Sequence, residues 1–152
     1  MKKFLSIALL SAALLTSTAF AAEAAIGTWT LNLAKSKLSD PPKSQTRTYT
    51  ESANGFSVET KSIDSAGKEH TTSAKVAYDG KPHPVSGIHD YDSVISKLVN
   101  PHTSHSTLWK DGKQVGTLDR VVSSDGKTLT IETKVKESDG KAHEDTLVYD
   151  KG

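Results

Sequence analysis

Short turn words recur along the chain at a near-regular beat: Asn54-Gly55, Ala66-Gly67, Asp79-Gly80, Asp111-Gly112, Asp125-Gly126 and Asp139-Gly140. Asn-Gly and Asp-Gly tolerate the positive φ angles that tight hairpin turns need. Between them lie segments rich in Thr, Val and Ile that alternate apolar with polar. In TWTLNL the side chains of Trp29, Leu31 and Leu33 share one face, and in KTLTIETKV those of Leu129, Ile131, Thr133 and Val135 do. In EDTLVYD the shared face carries Leu147 and Tyr149, with Asp145 nearer the turn. Period-two patterning marks half-buried antiparallel strands, and no sustained helical period competes with it.

Strands are predicted over 27–33, 44–51, 56–63, 69–78, 90–98, 103–110, 114–123, 128–137 and 142–150, with a further short extended piece around Lys81–Val85. Two segments break the beat. In AKSKLSDPPKSQ the pair Pro41-Pro42 rules out a helix or a central strand, and in KPHPVSGIHD Pro82 and Pro84 enforce an extended rim loop. The expected fold is all-β, an antiparallel up-and-down meander of about nine or ten strands. Such a sheet removes its exposed edges by closing into a barrel. At that strand number the interior is expected to exceed what side chains fill, in the size range of ligand-holding barrels.

The first residues read as a secretory leader: Lys2 and Lys3, an apolar run from Phe4 to Leu15, and the small-x-small signal Ala19-Phe20-Ala21. The apolar run is too short to span a bilayer. Cleavage is expected after Ala21, with Ala22-Glu23-Ala24 a second site that fits. A leader over 1–21 and one domain over 22–152 follow, with a periplasmic or extracellular destination. Of 19 Lys and Arg residues two leave with the leader, so 17 face 18 acids and the formal charge is −1. That balance offers no footprint for nucleic acid or an anionic membrane surface. The chain has no cysteine, which excludes disulfides, thiol chemistry and a lipoprotein anchor. The only arginines are Arg47 and Arg120.

One hairpin is written twice. VETKSIDSAGKEH (58–70) aligns without gaps on IETKVKESDGKAH (131–143), with seven of thirteen positions identical. The shared Glu-Thr-Lys lies inside the strand, beyond ordinary turn grammar, and points to a reused unit.

GTWTLN (27–32) resembles the Gly-x-Trp start of the first barrel strand in the calycin group, the lipocalins and fatty-acid-binding proteins. TLVYDKG (146–152) resembles the Tyr-acid-Lys ending of fatty-acid-binding proteins. The resemblance implies a small secreted barrel and a binding habit. Departures are plain. The proline-rich first loop cannot supply the two lid helices of fatty-acid-binding proteins. Leu147 stands where their headgroup arginine would be, and no closing helix of the lipocalin kind follows the last strand. A lidless barrel without that headgroup site is therefore expected.

Gly27, Trp29 and Arg120 are the candidates for closing the barrel. An amphipathic Trp fills a barrel end and requires one hydrogen-bond partner. Arg120, if inward, is free to stack over Trp29, as the lipocalin resemblance implies, or to meet a ligand carboxylate or phosphate. Outward, it would pair with Asp119 or Glu132; alternation leaves its side open. The expected ligand lining is Leu31, Leu33, Phe56, Val58, Val76, Tyr78, Trp109, Leu129, Ile131 and Tyr149.

The six histidines (His70, His83, His89, His102, His105 and His143) are joined by no cysteine or clustered carboxylate, so no metal is expected. On a strand His102 and His105 would face opposite ways. No nucleophile elbow, zinc-protease motif or phosphate loop is present, and Asp90 with Asp92 makes only a loop edge. The chain reads as a binding protein for a small apolar or amphipathic molecule, with no cofactor and no catalysis. The alternative is a filled-core envelope protein that inhibits or assembles through its rim loops.

Overall fold

Tight two-residue hairpin turns form at Asp111-Gly112, both left-handed at φ 49° and 77°, and at Ala53-Asn54, where Asn54 has φ 52° and Gly55 already pairs with Ser52 and Ala77. They connect the strands of a closed antiparallel barrel in the computed structural model, which describes residues 23–152. The leader and its cleavage after Ala21 lie outside the described residues. The strands are β1 (Gly27–Leu31), β2 (Ser44–Ser52), β3 (Gly55–Ile63), β4 (Glu69–Ala77) and β5 (His83–Ser86). They continue with β6 (Ser93–Asn100), β7 (Thr103–Lys110), β8 (Lys113–Val122), β9 (Thr128–Lys136) and β10 (Ala142–Lys151).

Each strand pairs with the next in sequence, and β1 closes the ring against β10. The ten-strand meander is thus the expected fold, consistent with a calycin-like barrel. The extended piece near Lys81–Val85 is β5, the weakest member: it holds two register pairs with β4 and two with β6. Pro84 explains the brevity, because it has no N–H to give to a ladder.

The two copies of the repeated hairpin share register as well as sequence. Ile63 pairs with Glu69 and Val58 with Ala74; Lys136 pairs with Ala142 and Ile131 with Leu147. The turns match too. Gly67 N–H donates to Asp64 O at 3.0 Å and Gly140 N–H to Glu137 O at 3.0 Å. In both, the histidine that ends the motif reaches back to the acid that begins the turn, His70 to Asp64 at 2.7 Å and His143 to Glu137 at 3.0 Å.

The first loop makes a single 3-10 turn, Leu33–Lys35, capped by Asn32, whose Oδ1 accepts from Lys35 N–H at 3.2 Å. Lys37 then exchanges backbone hydrogen bonds with Thr146, both 2.8 Å, which ties the loop to β10 before Pro41-Pro42. Because the cap ends β1 at Leu31, Leu33 does not continue the inward face. It is 42% exposed and lines a surface groove of about 450 Å³ with Leu38, Pro41 and Pro42. Its place in the expected interior is corrected.

The inward positions pack one core around Trp29, Leu108, Leu129, Ile131 and Tyr149. In β7 alternation turns Ser104, Ser106 and Leu108 inward. Trp109 therefore takes the outer face, where its Nε1–H donates to Thr107 Oγ1 at 2.8 Å, and it too is removed from the expected lining. The interior is also tighter than the strand count suggests. Aromatic side chains and both arginines occupy it, leaving an internal cavity of about 70 Å³.

Candidate functional site

The end of the barrel at which β1 begins is closed by the segment that precedes it. Trp29 is fully buried and its Nε1–H donates to Ala25 O at 2.8 Å, the one partner an interior Trp needs. The cation over its ring is Lys151, with Nζ 4.5 Å from the centroid, while the same Nζ donates to Ile26 O at 2.9 Å. Register makes this contact, because Lys151 lies directly opposite Trp29 across the β1–β10 pair. Gly27 permits it: its φ is +134° and a Cβ there would collide with Lys151 Nζ.

Arg120 faces inward, 3% exposed, but stacks elsewhere. Its guanidinium lies 4.8 Å from the centroids of both Tyr49 and Phe56 and forms an ion pair with Glu23. Tyr78 completes the cluster: its hydroxyl donates to Glu23 Oε1 at 2.7 Å and accepts from Arg120 Nη2 at 3.1 Å. The expected stacking of Arg120 on Trp29 is thus replaced by Lys151, and the outward pairing with Asp119 or Glu132 does not form. Asp119 instead meets His105 at 2.6 Å. Burial pulls the Arg120 pKa down to about 10, which still leaves it charged at neutral pH and in need of the Glu23 carboxylate.

Arg47 is the second inward arginine, on the face of β2 that also carries Tyr49. Its Nε–H donates to Thr60 Oγ1 at 3.0 Å and Nη1–H to Tyr49 OH at 3.2 Å. The Tyr49 and Tyr149 rings lie 6.0 and 5.7 Å from its guanidinium carbon. Burial alone would lower its pKa; the phenol oxygens of Tyr149, Tyr49 and Tyr91 outweigh that, and the net shift is upward. Tyr149 donates in turn to Gln45, and burial pushes its own pKa up to about 12.

The 70 Å³ cavity lies beside Arg47, walled by Phe56, Val58, Val76, Tyr91, Val94 and Leu118 among others. Its space matches about five to seven water molecules. Three expected lining residues, Phe56, Val58 and Val76, do line it. Tyr78 is turned to the Glu23–Arg120 cluster, and Leu31, Leu129, Ile131 and Tyr149 are packed as core. Sequence reasoning missed Arg47, Tyr91 and Val94. The scarcity of arginine was the available signal, together with the alternation that sets Arg47 on the same face as Tyr49.

Comparison with protein-family profiles, with curated proteins and with solved structures gives no match. The chemistry of this chain is therefore read from its own side chains.

The histidines are distributed singly over the outside. His70, His83, His105 and His143 each pair with one carboxylate, His83 with Asp79 at 2.8 Å, and His89 is almost fully exposed beside Asp90. His102 Nδ1 lies 3.2 Å from Val122 O. Among the described residues no three metal-binding side chains converge. Asp92 is engaged by the backbone N–H of Asp111 at 3.0 Å, which makes it a turn anchor.

Proposed function

We propose that this protein is a secreted or periplasmic β-barrel that binds a small amphipathic molecule inside the barrel, as a lidless carrier of the lipocalin and fatty-acid-binding kind, without catalysing a reaction. The observation that carries the reading is the cavity beside Arg47, whose lining combines apolar side chains such as Phe56, Val58, Val76 and Val94 with the guanidinium and the hydroxyls of Thr60, Thr72, Ser73 and Ser106. That combination orients an amphipathic molecule: apolar surface is removed from water while the polar end is hydrogen-bonded. The cavity volume limits the ligand to a few heavy atoms unless the wall moves.

The same small volume favours a second reading, a filled-core protein that works through its rim. Its working surface would be the proline-rich loop with Leu33, Leu38, Pro41 and Pro42. Native mass spectrometry and solvent extraction of protein purified from its host separate the two. A small molecule bound in stoichiometric amount supports the carrier. Apo chain, together with a stoichiometric protein crosslink, supports the rim-loop protein and sinks the carrier.

A further inference from the structure

We infer that Glu23 fixes the start of the mature protein: the leader is cut ahead of it, after Ala21, and a cut at the second signal, Ala22-Glu23-Ala24, does not yield the stable barrel. This rests on the secretory reading above. Both signals satisfy the same small-x-small rule, so that rule does not separate them. The bond between Ala21 and Ala22 lies outside the described residues, but Glu23 to Ile26, which decide between the two sites, lie within them.

All four are built into the closed end of the barrel. The Glu23 side chain pairs with Arg120 and accepts from the Tyr78 hydroxyl at 2.7 Å. Its backbone carbonyl accepts from Ile26 N–H at 3.1 Å, and Ala24 N–H donates at 2.9 Å to Pro101 O in the β6–β7 turn. Ala25 is 1% exposed, and its carbonyl takes the indole N–H of Trp29. Ile26 O takes the ammonium of Lys151. A stretch that precedes the first strand thus holds β1, β8, β10 and the β6–β7 turn together.

A cut after Ala24 undoes this in two ways. It removes Glu23, the carboxylate that pairs with Arg120 among the described residues, and leaves the guanidinium buried. A guanidinium does not escape by losing its proton. It also creates an ammonium on Ala25, which the core covers. The closed end would lose a buried negative charge and gain a positive one, and unpaired buried charges are strongly destabilising. A cut after Ala21 does neither. A leader peptidase adds water across the Ala21–Ala22 bond, leaving a carboxyl group on Ala21 and an amine on Ala22, and Glu23 stays in the chain.

The test expresses the whole chain, leader included, in an exporting bacterial host and reads the folded product by intact mass and N-terminal sequencing. The expected first residue is Ala22. A first residue of Ala25 overturns the inference and leaves export standing. Folded chain that keeps Met1 overturns the secretory reading and the inference with it. Two variants of the same chain move the choice. Ala21→Leu disables the first signal, so that processing passes to the second, and recovery of folded protein should fall at least about tenfold, because abundance follows stability steeply. Ala22→Leu disables only the second signal and should leave both the cut site and the recovery unchanged. Undiminished recovery of a barrel that starts at Ala25 and melts at the native temperature, or a cut displaced by Ala22→Leu, would each overturn the inference. If Ala21→Leu leaves the leader attached, the first residue of the unaltered protein decides alone.

Discussion

Glu23, ahead of the first strand, forms an ion pair with Arg120 on β8 inside the barrel, and the two side chains are only 10% and 4% exposed. The last residues before the barrel thus form part of its interior. Breaking such a pair from one side leaves a charge that neither water nor protein satisfies. Glu23→Gln is expected to lower unfolding stability by about 3–5 kcal/mol. Urea denaturation measures it. Glu23→Gln combined with Arg120→Met should recover much of the loss, because no orphan charge remains. A double variant as unstable as the single one would show that the pair is not the source.

Gly27→Ala forces a side chain into left-handed backbone and onto the ammonium of Lys151. The strain is on the order of 1–3 kcal/mol. The Trp29 fluorescence should change with it, because Lys151 must leave the indole face. If Gly27→Ala is neutral and the spectrum is unaltered, closure of the barrel does not depend on this contact.

Leu129 and Leu33 look equivalent as apolar strand positions but differ in depth, at 0% and 42% exposed. Leu129→Ala should cost about 2–5 kcal/mol through lost burial and the cavity left behind. Leu33→Ala should stay within about 0.5 kcal/mol of the native protein. Equal losses in thermal melts would place Leu33 inside after all.

Acid should loosen the rim turns. Asp64 is held below its ordinary value of 3.8 by the His70 hydrogen bond and by the N–H groups of Lys68 and Ala66, and Asp79 is held low first by His83. A carboxyl with a depressed native pKa binds protons more readily when unfolded. Its stabilisation is therefore present above pH 3.8 and is lost as pH falls through the lower native value. An Asp64→Asn, Asp79→Asn variant should melt below the native protein at pH 7, with the gap closing toward pH 2. A gap that persists at the acid end would assign the effect to packing.

The strand order is legible because it is written locally, in turn words such as Asp125-Gly126 and in alternation such as Leu129, Ile131, Thr133 and Val135. Even β5 shows as the extended piece around Lys81–Val85. Leu33 was misplaced because the Asn32 cap, a single hydrogen bond, ends the alternation early. The cation over Trp29 was misassigned for a different reason. Which residue faces Trp29 depends on the β1–β10 register, a pairing between the two ends of the chain that leaves no local mark. Arg47 was visible as a rare residue, but its lack of a carboxylate follows only from knowing that Glu23 goes to Arg120.

The brevity of β5 has a kinetic meaning. A barrel sealed by hydrogen bonds must still breathe somewhere, and the lowest-cost opening is where the fewest bonds hold. Beside nine register pairs between β3 and β4 and three between β1 and β10, the two on each side of β5 make a hatch, the most sparsely paired stretch of the wall. Val85 of that strand also lines the cavity, so the hatch opens onto the interior. Amide hydrogen exchange should be fastest at the β5 ladder. Each parting of the wall there costs a few bonds and a moment with two bare sheet edges.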